Sequence, residues 1–254
     1  NQYNMSTSYV HLNVQNKVGY IEFYNPPHNG LPAAMLSNLT DLITQVGSDP
    51  TIAVIVLQSG GDRTFCAGAS FEELSAISNL QEGTDFFKGF ANVINALRNC
   101  PKITIGRVQG KAVGGGVGLA AATDYCMATS HSEIKLSELS IGIGPFVIEP
   151  AVTRKIGISA FSQLSLEATT FFSAQWAQDN GLYTKVFPSI DVLDTEVKAF
   201  AQQLITYNPE ALQKLKSTFW EGTQHWGKLL NERAAISGQL VLSEFTKSQL
   251  KKYK

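Results

Sequence analysis

The sequence Val108-Gln109-Gly110-Lys111-Ala112-Val113-Gly114-Gly115-Gly116-Val117-Gly118-Leu119-Ala120-Ala121-Ala122-Thr123-Asp124 joins an apolar strand to a helix of small residues through three consecutive glycines. Glycine loses much backbone entropy on ordering, so a triplet indicates positive φ angles or a very close approach by another group. The first N–H groups of the following helix have no partner within it and carry the positive end of its dipole. The stretch therefore predicts that backbone N–H groups meet an anion, or an oxygen that becomes negative during a reaction.

Two other interpretations of this stretch stay open. The glycines could simply let a helix pack closely on a sheet. Residues 116–121 also fit the G-x-G-x-x-A pattern of dinucleotide-binding proteins. That fold needs a second strand ending in an acidic residue about twenty positions further on. Residues 127–139 are instead interrupted by Ser130, His131 and Ser132, which disfavours a dinucleotide site.

The composition is that of an ordinary globular protein. The 254 residues are 44% hydrophobic and 16% charged, which suits one α/β core. Because the formal net charge is only -1, we expect no nucleic acid partner and no membrane partner. The cysteines, Cys66, Cys100 and Cys126, lack C-x-x-C spacing, which favours free thiols in a reducing, cytoplasmic compartment. The histidines have no spacing that suggests a metal site, so none is expected.

Strand and helix patterns divide the chain into two regions. Over residues 1–190 strands alternate with helices, which predicts a core of mostly parallel strands. Residues 191–254 are expected to form a C-terminal helical region that covers a pocket or makes subunit contacts. The expected strands are 9–14, 18–23, 53–58, 103–108 and 124–128, with a loop at 60–69, and the expected helices are 33–46, 86–99, one from about 152, 192–206, 209–220 and 228–250.

A second small-residue segment, Phe65 to Ser70, follows a strand and a glycine-bearing loop. With two such segments in one core, two N–H groups could converge on a single oxygen to form an oxyanion hole. A carbonyl polarised in this way has an acidic α-carbon, so the site needs a base. Glu138 lies among apolar residues before Gly142, where burial would raise its pKa towards neutrality. Helix capping by the Ser-x-x-Glu pattern is the alternative role.

Three segments together, Phe65 to Ala69, Gly114 to Asp124 and Leu136 to Gly142, resemble the crotonase, or enoyl-CoA hydratase/isomerase, superfamily. The resemblance extends from about Val10 to Lys254. It implies an α/β fold, a crotonase-like spiral of ββα units with a C-terminal helical region. It also implies an acyl-CoA thioester substrate, no cofactor beyond the coenzyme A of that substrate, and homotrimers or dimers of trimers.

The resemblance also implies roles for individual residues. The N–H groups of Ala69 and Gly115 would hold the thioester oxygen, and Glu138 would be the catalytic base. Ala67 corresponds to a position beside the adenine. The substrate-binding residues expected on this basis are Ala67, Gly68, Gly114 and Gly118.

One departure from the family pattern bears on the reaction. Hydratases of this family carry a glutamate two positions after the glycine triplet, where this chain has Gly118, so Glu138 is the one that remains. A single carboxylate suits a 1,3-proton shift, and the segments Asn25 to Leu31 and Ile143 to Phe146 are similar to members that move a 3-enoyl double bond to the 2-position. Isomerisation is therefore preferred. Hydration, or a catalytically weak acyl-CoA-binding protein, is the alternative.

Further side chains are candidates for the same site. Glu149 could replace the missing glutamate, although a surface or helix-start position is the simpler interpretation. Several aromatic residues could line an acyl tunnel or fill the core: Phe86, Phe87, Phe90, Phe146, Phe161, Phe171 and Phe172.

Overall fold

The computed structural model describes residues 7–253, in which one large sheet and two small sheets are packed among helices. The strands are β1 (Tyr9–Gln15), β2 (Val18–Tyr24), β3 (Gly30–Leu31), β4 (Val54–Ser59), β5 (Thr64–Cys66), β6 (Gly68–Ala69), β7 (Ile103–Val108), β8 (Lys111–Val113), β9 (Tyr125–Thr129), β10 (Ile134–Lys135) and β11 (Lys185–Phe187). The helices are α1 (Ala33–Gly47), α2 (Phe71–Ala76), α3 (Leu80–Asn99), α4 (Gly115–Ala122), α5 (Glu149–Leu166), α6 (Ala174–Asp179), α7 (Ile190–Ile205), α8 (Pro209–Phe219), α9 (Trp226–Leu240) and α10 (Glu244–Lys251), with a 3₁₀ turn at Glu138–Ile141.

The large sheet has the strand order β1-β2-β4-β7-β9-β11. β1 and β2 form an antiparallel hairpin, and the remaining neighbours pair in parallel. Parallel strands need crossover connections, which the helices between them supply. The predicted α/β architecture with mostly parallel pairing is thus confirmed.

Apolar side chains cover both faces of this sheet. On one face the main core includes Ile21, Phe23 and Leu57 together with Leu36 of α1 and Leu97 of α3. On the other face a smaller cluster packs α7 against the sheet through Val54, Ile105, Leu193 and Val197. Burial on both sides explains why β4 begins with four consecutive apolar residues, Val54 to Leu57.

The two small sheets position the glycine-rich segments. β8 lies between β5 and β10, and β3 pairs with β6. These strands are only two or three residues long, so residues 60–69, expected to be a loop, contain β5 and β6. The pairing places the end of β8, just before Gly114, beside the segment that carries Ala69.

Most helix boundaries lie within about three residues of the predictions, and two helices differ by more. The single helix expected over 228–250 is wrong, because α9 ends at Leu240 and α10 begins at Glu244. Ser243 has extended backbone angles and caps α10 by accepting a hydrogen bond from the Thr246 N–H at 3.2 Å. α3 starts at Leu80 instead of Phe86, since the Asn79 side chain caps its first turn.

The C-terminal part of the chain is helical over its described residues. α8 is joined to the sheet by a buried polar cluster around Asp124, whose carboxylate accepts hydrogen bonds from Lys216 Nζ at 2.6 Å and Trp220 Nε1 at 2.7 Å. The division into regions 1–190 and 191–254 stays a prediction, and its residues 1–6 and 254 lie outside the described residues. No helix between residues 7 and 253 is long and apolar enough to cross a membrane.

Candidate functional site

A pocket with an empty volume of about 600 Å³ lies where the glycine-rich segments, the 3₁₀ turn and α9 meet. Its wall is mostly apolar, which is typical of small-molecule sites. The lining residues are Ala67, Gly68, Ala69, Phe71, Leu74, Phe87, Phe90, Gly114, Gly115, Ser137, Glu138, Ile141, Ile143, Gly144, Pro145, Phe146, Val147, Ile148 and Ser237. The structure thus brings together every site residue expected from the sequence except Gly118.

The glycine joint turns the chain into the pocket at Gly114. Its φ of +56° lies in the region that favours glycine, and a Cβ there would be 2.8 Å from Glu138 Oε1. Gly115 is the first residue of α4, so its N–H has no partner within that helix. The joint therefore presents a free helix N-terminus beside a carboxyl group.

The second small-residue segment touches this joint. A Cβ on Gly68 would lie 3.2 Å from the Gly115 nitrogen, so the two backbones are nearly in contact. Gly68 has a φ of +88°, and its N–H donates to Cys66 Sγ at 3.4 Å. Ala69 follows directly and lines the pocket, as Gly115 does, so the two segments lie side by side along the pocket wall.

The remaining glycines of the joint serve internal packing. A Cβ on Gly116 would lie 2.9 Å from the Cys66 Cβ, and one on Gly118 would lie 2.7 Å from the Ile148 Cβ. Close packing of α4 therefore accounts for the G-x-G-x-x-A pattern, and neither glycine lines the pocket. Gly118 itself does not line this pocket, whereas Ile148, which lies against it, does, and the substrate contact expected at Gly118 stays a prediction.

Glu138 begins the 3₁₀ turn, which ends at Gly142 in the left-handed conformation. The residue as a whole is half-buried, but its Oε2 is shielded from solvent and has no hydrogen-bond partner within the described chain. Desolvation raises the pKa of the Glu138 carboxyl from 4.5 to about 7. A carboxyl with this pKa exchanges protons readily near neutral pH.

Glu149 forms an ion pair with Arg233 outside the pocket wall. It is the first residue of α5, and its Oε1 lies 3.4 Å from Nη2 of Arg233 on α9. Both side chains are about one quarter exposed. The helix-start interpretation therefore fits Glu149 better than a second catalytic carboxylate.

The aromatic candidates divide between pocket and core. Phe87, Phe90 and Phe146 line the pocket, as does Phe71, which sequence reasoning had not singled out. Phe86 and Phe172 belong to the core. Phe171 is partly exposed, with the ammonium groups of Lys111 and Lys135 4.6 and 4.2 Å from its ring centroid.

Sequence reasoning also missed Ile148 and Ser237. Ile148 precedes α5, and nothing in the sequence shows that it faces Gly118 across thirty residues of chain. Ser237 did carry a signal, because it interrupts an apolar stripe on α9 that includes Trp226, Leu230 and Ala234. Within residues 7–253, no cluster of three or more His, Cys, Asp or Glu side chains is arranged to hold a metal.

Comparison with known proteins places this chain in a family. The model of a family described as enoyl-CoA hydratase/isomerase matches residues 13–252. The peroxisomal Delta(3,5)-Delta(2,4)-dienoyl-CoA isomerase of Arabidopsis thaliana is 28% identical over 224 residues, 82% of this chain and 79% of that protein. The crotonyl-CoA hydratase of Syntrophomonas wolfei is 29% identical over 197 residues, 77% of this chain and 75% of that protein.

A solved structure shows the same fold. The enoyl-CoA hydratase from Bacillus halodurans superposes with a TM-score of 0.89 at 23% identity, covering 96% of this chain and all of that one. The chain belongs to the enoyl-CoA hydratase/isomerase family, within the crotonase superfamily. It is therefore an enzyme of the hydratase or isomerase type, and its spiral α/β fold with helical C-terminal part is the crotonase fold.

Proposed function

We propose that this enzyme moves the double bond of a 3-enoyl-CoA to the 2-position, with Glu138 as the proton carrier. One observation carries the proposal. Among the described residues that line the pocket, Glu138 is the one titratable side chain. Adding water across a double bond is readily served by two carboxylates, whereas one carboxyl is sufficient to move a proton between two carbons of the same substrate.

In this reaction the N–H groups of Ala69 and Gly115 donate hydrogen bonds to the thioester oxygen. Glu138 removes a proton from C2 of the 3-enoyl thioester, and the electrons of that C–H bond form a dienolate. The negative charge on oxygen is stabilised by the two donors and by the positive end of α4. The same carboxyl then returns the proton to C4, which leaves the double bond between C2 and C3. No cofactor takes part beyond the coenzyme A of the substrate.

Ile148 supports isomerisation over hydration. The Ile148 side chain fills the space in front of Gly118. Gly118 lies one helical turn along α4 from Gly114, the glycine next to Glu138. An apolar side chain at this point offers a water molecule no second hydrogen-bond partner. The printed names of the relatives include both reactions, so hydration is the second candidate.

Matched 2-enoyl-CoA and 3-enoyl-CoA substrates test the proposal through the absorbance of the conjugated thioester. We expect 3-enoyl-CoA to gain this absorbance much faster than 2-enoyl-CoA loses it. Equal rates would overturn the preference for isomerisation. Binding without turnover of either substrate would instead indicate an acyl-CoA-binding protein.

We also propose that the chain assembles as a homotrimer or a dimer of trimers. Large apolar side chains are exposed on α5 and in the C-terminal part, among them Ile158, Leu166 and Phe245. Such side chains suit subunit contacts when they are grouped. Light scattering is expected to give about three or six times the chain mass of 27.6 kDa.

A further inference from the structure

Ser237 is a polar residue in a position that otherwise holds apolar side chains. It lies on the buried stripe of α9, between Ala234 and Val241, and only 1% of its surface is exposed. It also lines the pocket, whose other polar side chains are Ser137 and Glu138. Helix packing alone would be served at least as well by alanine, which has the higher helix propensity.

The hydroxyl of Ser237 has no hydrogen-bond partner in the part of the chain that the structure describes. Helical serines commonly bond back to the carbonyl four residues earlier, as the half-buried Ser165 does to Phe161 at 2.7 Å. Within residues 7–253 the Ser237 hydroxyl forms neither this bond nor any other hydrogen bond to a side chain or backbone group. Ser237 lines the pocket, and its Oγ is not among the fully buried polar atoms without a partner, so the hydroxyl is available to a group that enters the pocket from outside the chain.

The packing of α9 against α3 fixes the position of Ser237. Gly238 and Gly83 bring α9 into backbone contact with α3, since a Cβ on Gly83 would be 2.7 Å from the Gly238 carbonyl oxygen. Ser237 is the neighbouring residue, so it is held beside the part of α3 that supplies Phe87 and Phe90 to the pocket. This backbone contact keeps Ser237 at the pocket wall.

We infer that Ser237 is a specificity-determining residue, and that the pocket accepts an acyl chain carrying an oxygen atom that hydrogen-bonds to the Ser237 hydroxyl. This inference rests on the proposed acyl-CoA substrate but is independent of whether the enzyme isomerises or hydrates. The selectivity arises because a plain hydrocarbon chain leaves the hydroxyl unpaired, whereas a chain with a hydroxyl or carboxylate oxygen satisfies it.

Saturated acyl-CoA ligands test the inference, because they can be neither isomerised nor hydrated. The pairs are butyryl-CoA with 4-hydroxybutyryl-CoA, and valeryl-CoA with 5-hydroxyvaleryl-CoA and glutaryl-CoA, each titrated calorimetrically against the intact protein. We expect at least one oxygen-bearing ligand to bind about three- to tenfold more tightly than its parent, the range that one neutral hydrogen bond provides. In Ser237→Ala this ratio should fall to about one.

Ser165→Ala is the matched control, because it also removes a helical hydroxyl but lies outside the pocket wall. It should keep the wild-type ratio. Thermal unfolding adds a second measurement: Ser237→Ala should melt no lower than the wild type, whereas a structural hydroxyl would lower the melting temperature when removed. Equal binding of all paired ligands by the wild type, or a preference that survives in Ser237→Ala, would overturn the inference. Failure of butyryl-CoA and valeryl-CoA to bind at all would instead overturn the proposed acyl-CoA substrate.

Discussion

At the scale of the residue, the central feature is the buried carboxyl of Glu138, which no side chain among residues 7–253 pairs with. Gly114 leaves room for Glu138 Oε1, while Oε2 is buried and unbonded among the described residues. Burial of this kind destabilises the charged form and places the pKa of Glu138 near 7. The sequence indicated the base through its apolar neighbours, but it could not show that Gly114 and Glu138 touch.

The first prediction concerns the pH dependence of catalysis. Only the deprotonated Glu138 can accept a proton, so kcat/KM for 3-enoyl-CoA should rise with pH and level off above about 7. Glu138→Gln should lower the rate by about a thousandfold, within the range of general-base effects, and keep affinity for acyl-CoA. A variant with full activity, or a profile that levels off near pH 4.5, would show that Glu138 is not the base.

The second prediction concerns stability. Because the pKa of Glu138 is raised in the folded state, the native protein binds more protons than the unfolded chain between about pH 4.5 and 7, and its stability falls as pH rises through this interval. Glu138→Gln removes this effect. At pH 8 the variant should be more stable than the wild type by about 1 to 3 kcal/mol, and the difference should vanish near pH 4.5.

Urea unfolding at a series of pH values measures this difference. Glu221→Gln, which removes an exposed carboxylate, is the control and should follow the wild-type curve. If Glu138→Gln were less stable than the wild type at pH 8, the carboxylate would have a structural partner that the geometry does not show.

At the scale of the element, the packing of α4 against the segment before α5 decides what the pocket can do. Gly116 allows Cys66 of β5 to approach α4, and Gly118 allows Ile148 to do so. Gly114 turns the chain at the start of the helix. The apolar periodicity predicted α1, β4 and β7 nearly to the residue. It missed the break between α9 and α10 because a single capping serine, Ser243, interrupts an otherwise continuous helical pattern.

The third prediction concerns the effect of a glutamate at position 118. In Gly118→Glu the new Cβ would collide with Ile148, so we expect a loss of about 1 to 3 kcal/mol of stability and no gain in hydration. Ile148→Ala would not relieve this collision, because the Ile148 Cβ is itself 2.7 Å away. The double variant Gly118→Glu, Ile148→Gly provides the room.

Hydration of 2-enoyl-CoA is the measurement for these variants. The double variant should exceed both the wild type and Ile148→Gly, which serves as the matched control for the lost side chain. Hydration by Gly118→Glu alone would refute the steric argument. A folded double variant without any gain would show that the missing carboxylate is not what limits hydration.

At the scale of the whole molecule, one buried ion pair joins the C-terminal helices to the sheet. Lys216 and Asp124 are 92 residues apart, and their side chains are 3% and 2% exposed. The Asp124 carboxylate also accepts from the Thr104 N–H at 2.8 Å, so it is fully bonded. Sequence reasoning recognised a helical C-terminal region but could not match this lysine to a carboxylate so distant in the chain.

The fourth prediction is that Lys216→Met destabilises the protein by about 3 to 5 kcal/mol, because Asp124 is left charged and buried without its ionic partner. Lys214→Met is the matched control, since Lys214 pairs with Glu210 on the exposed side of the same helix. It should cost less than about 1 kcal/mol. Equal losses in the two variants, measured by denaturant unfolding, would mean that the buried pair does not fasten α8 to the sheet.

The most direct test of the central claim, that one carboxyl at Glu138 moves a proton within the substrate, is the mass of the product formed from 3-enoyl-CoA in ¹⁸O-labelled water. A single-base isomerase returns a conjugated thioester of unchanged mass that contains no label, and Glu138→Gln returns only starting material. Recovery of unreacted 3-enoyl-CoA, from an enzyme that under the same conditions converts 2-enoyl-CoA to a labelled 3-hydroxyacyl-CoA, would contradict the account and identify the enzyme as a hydratase.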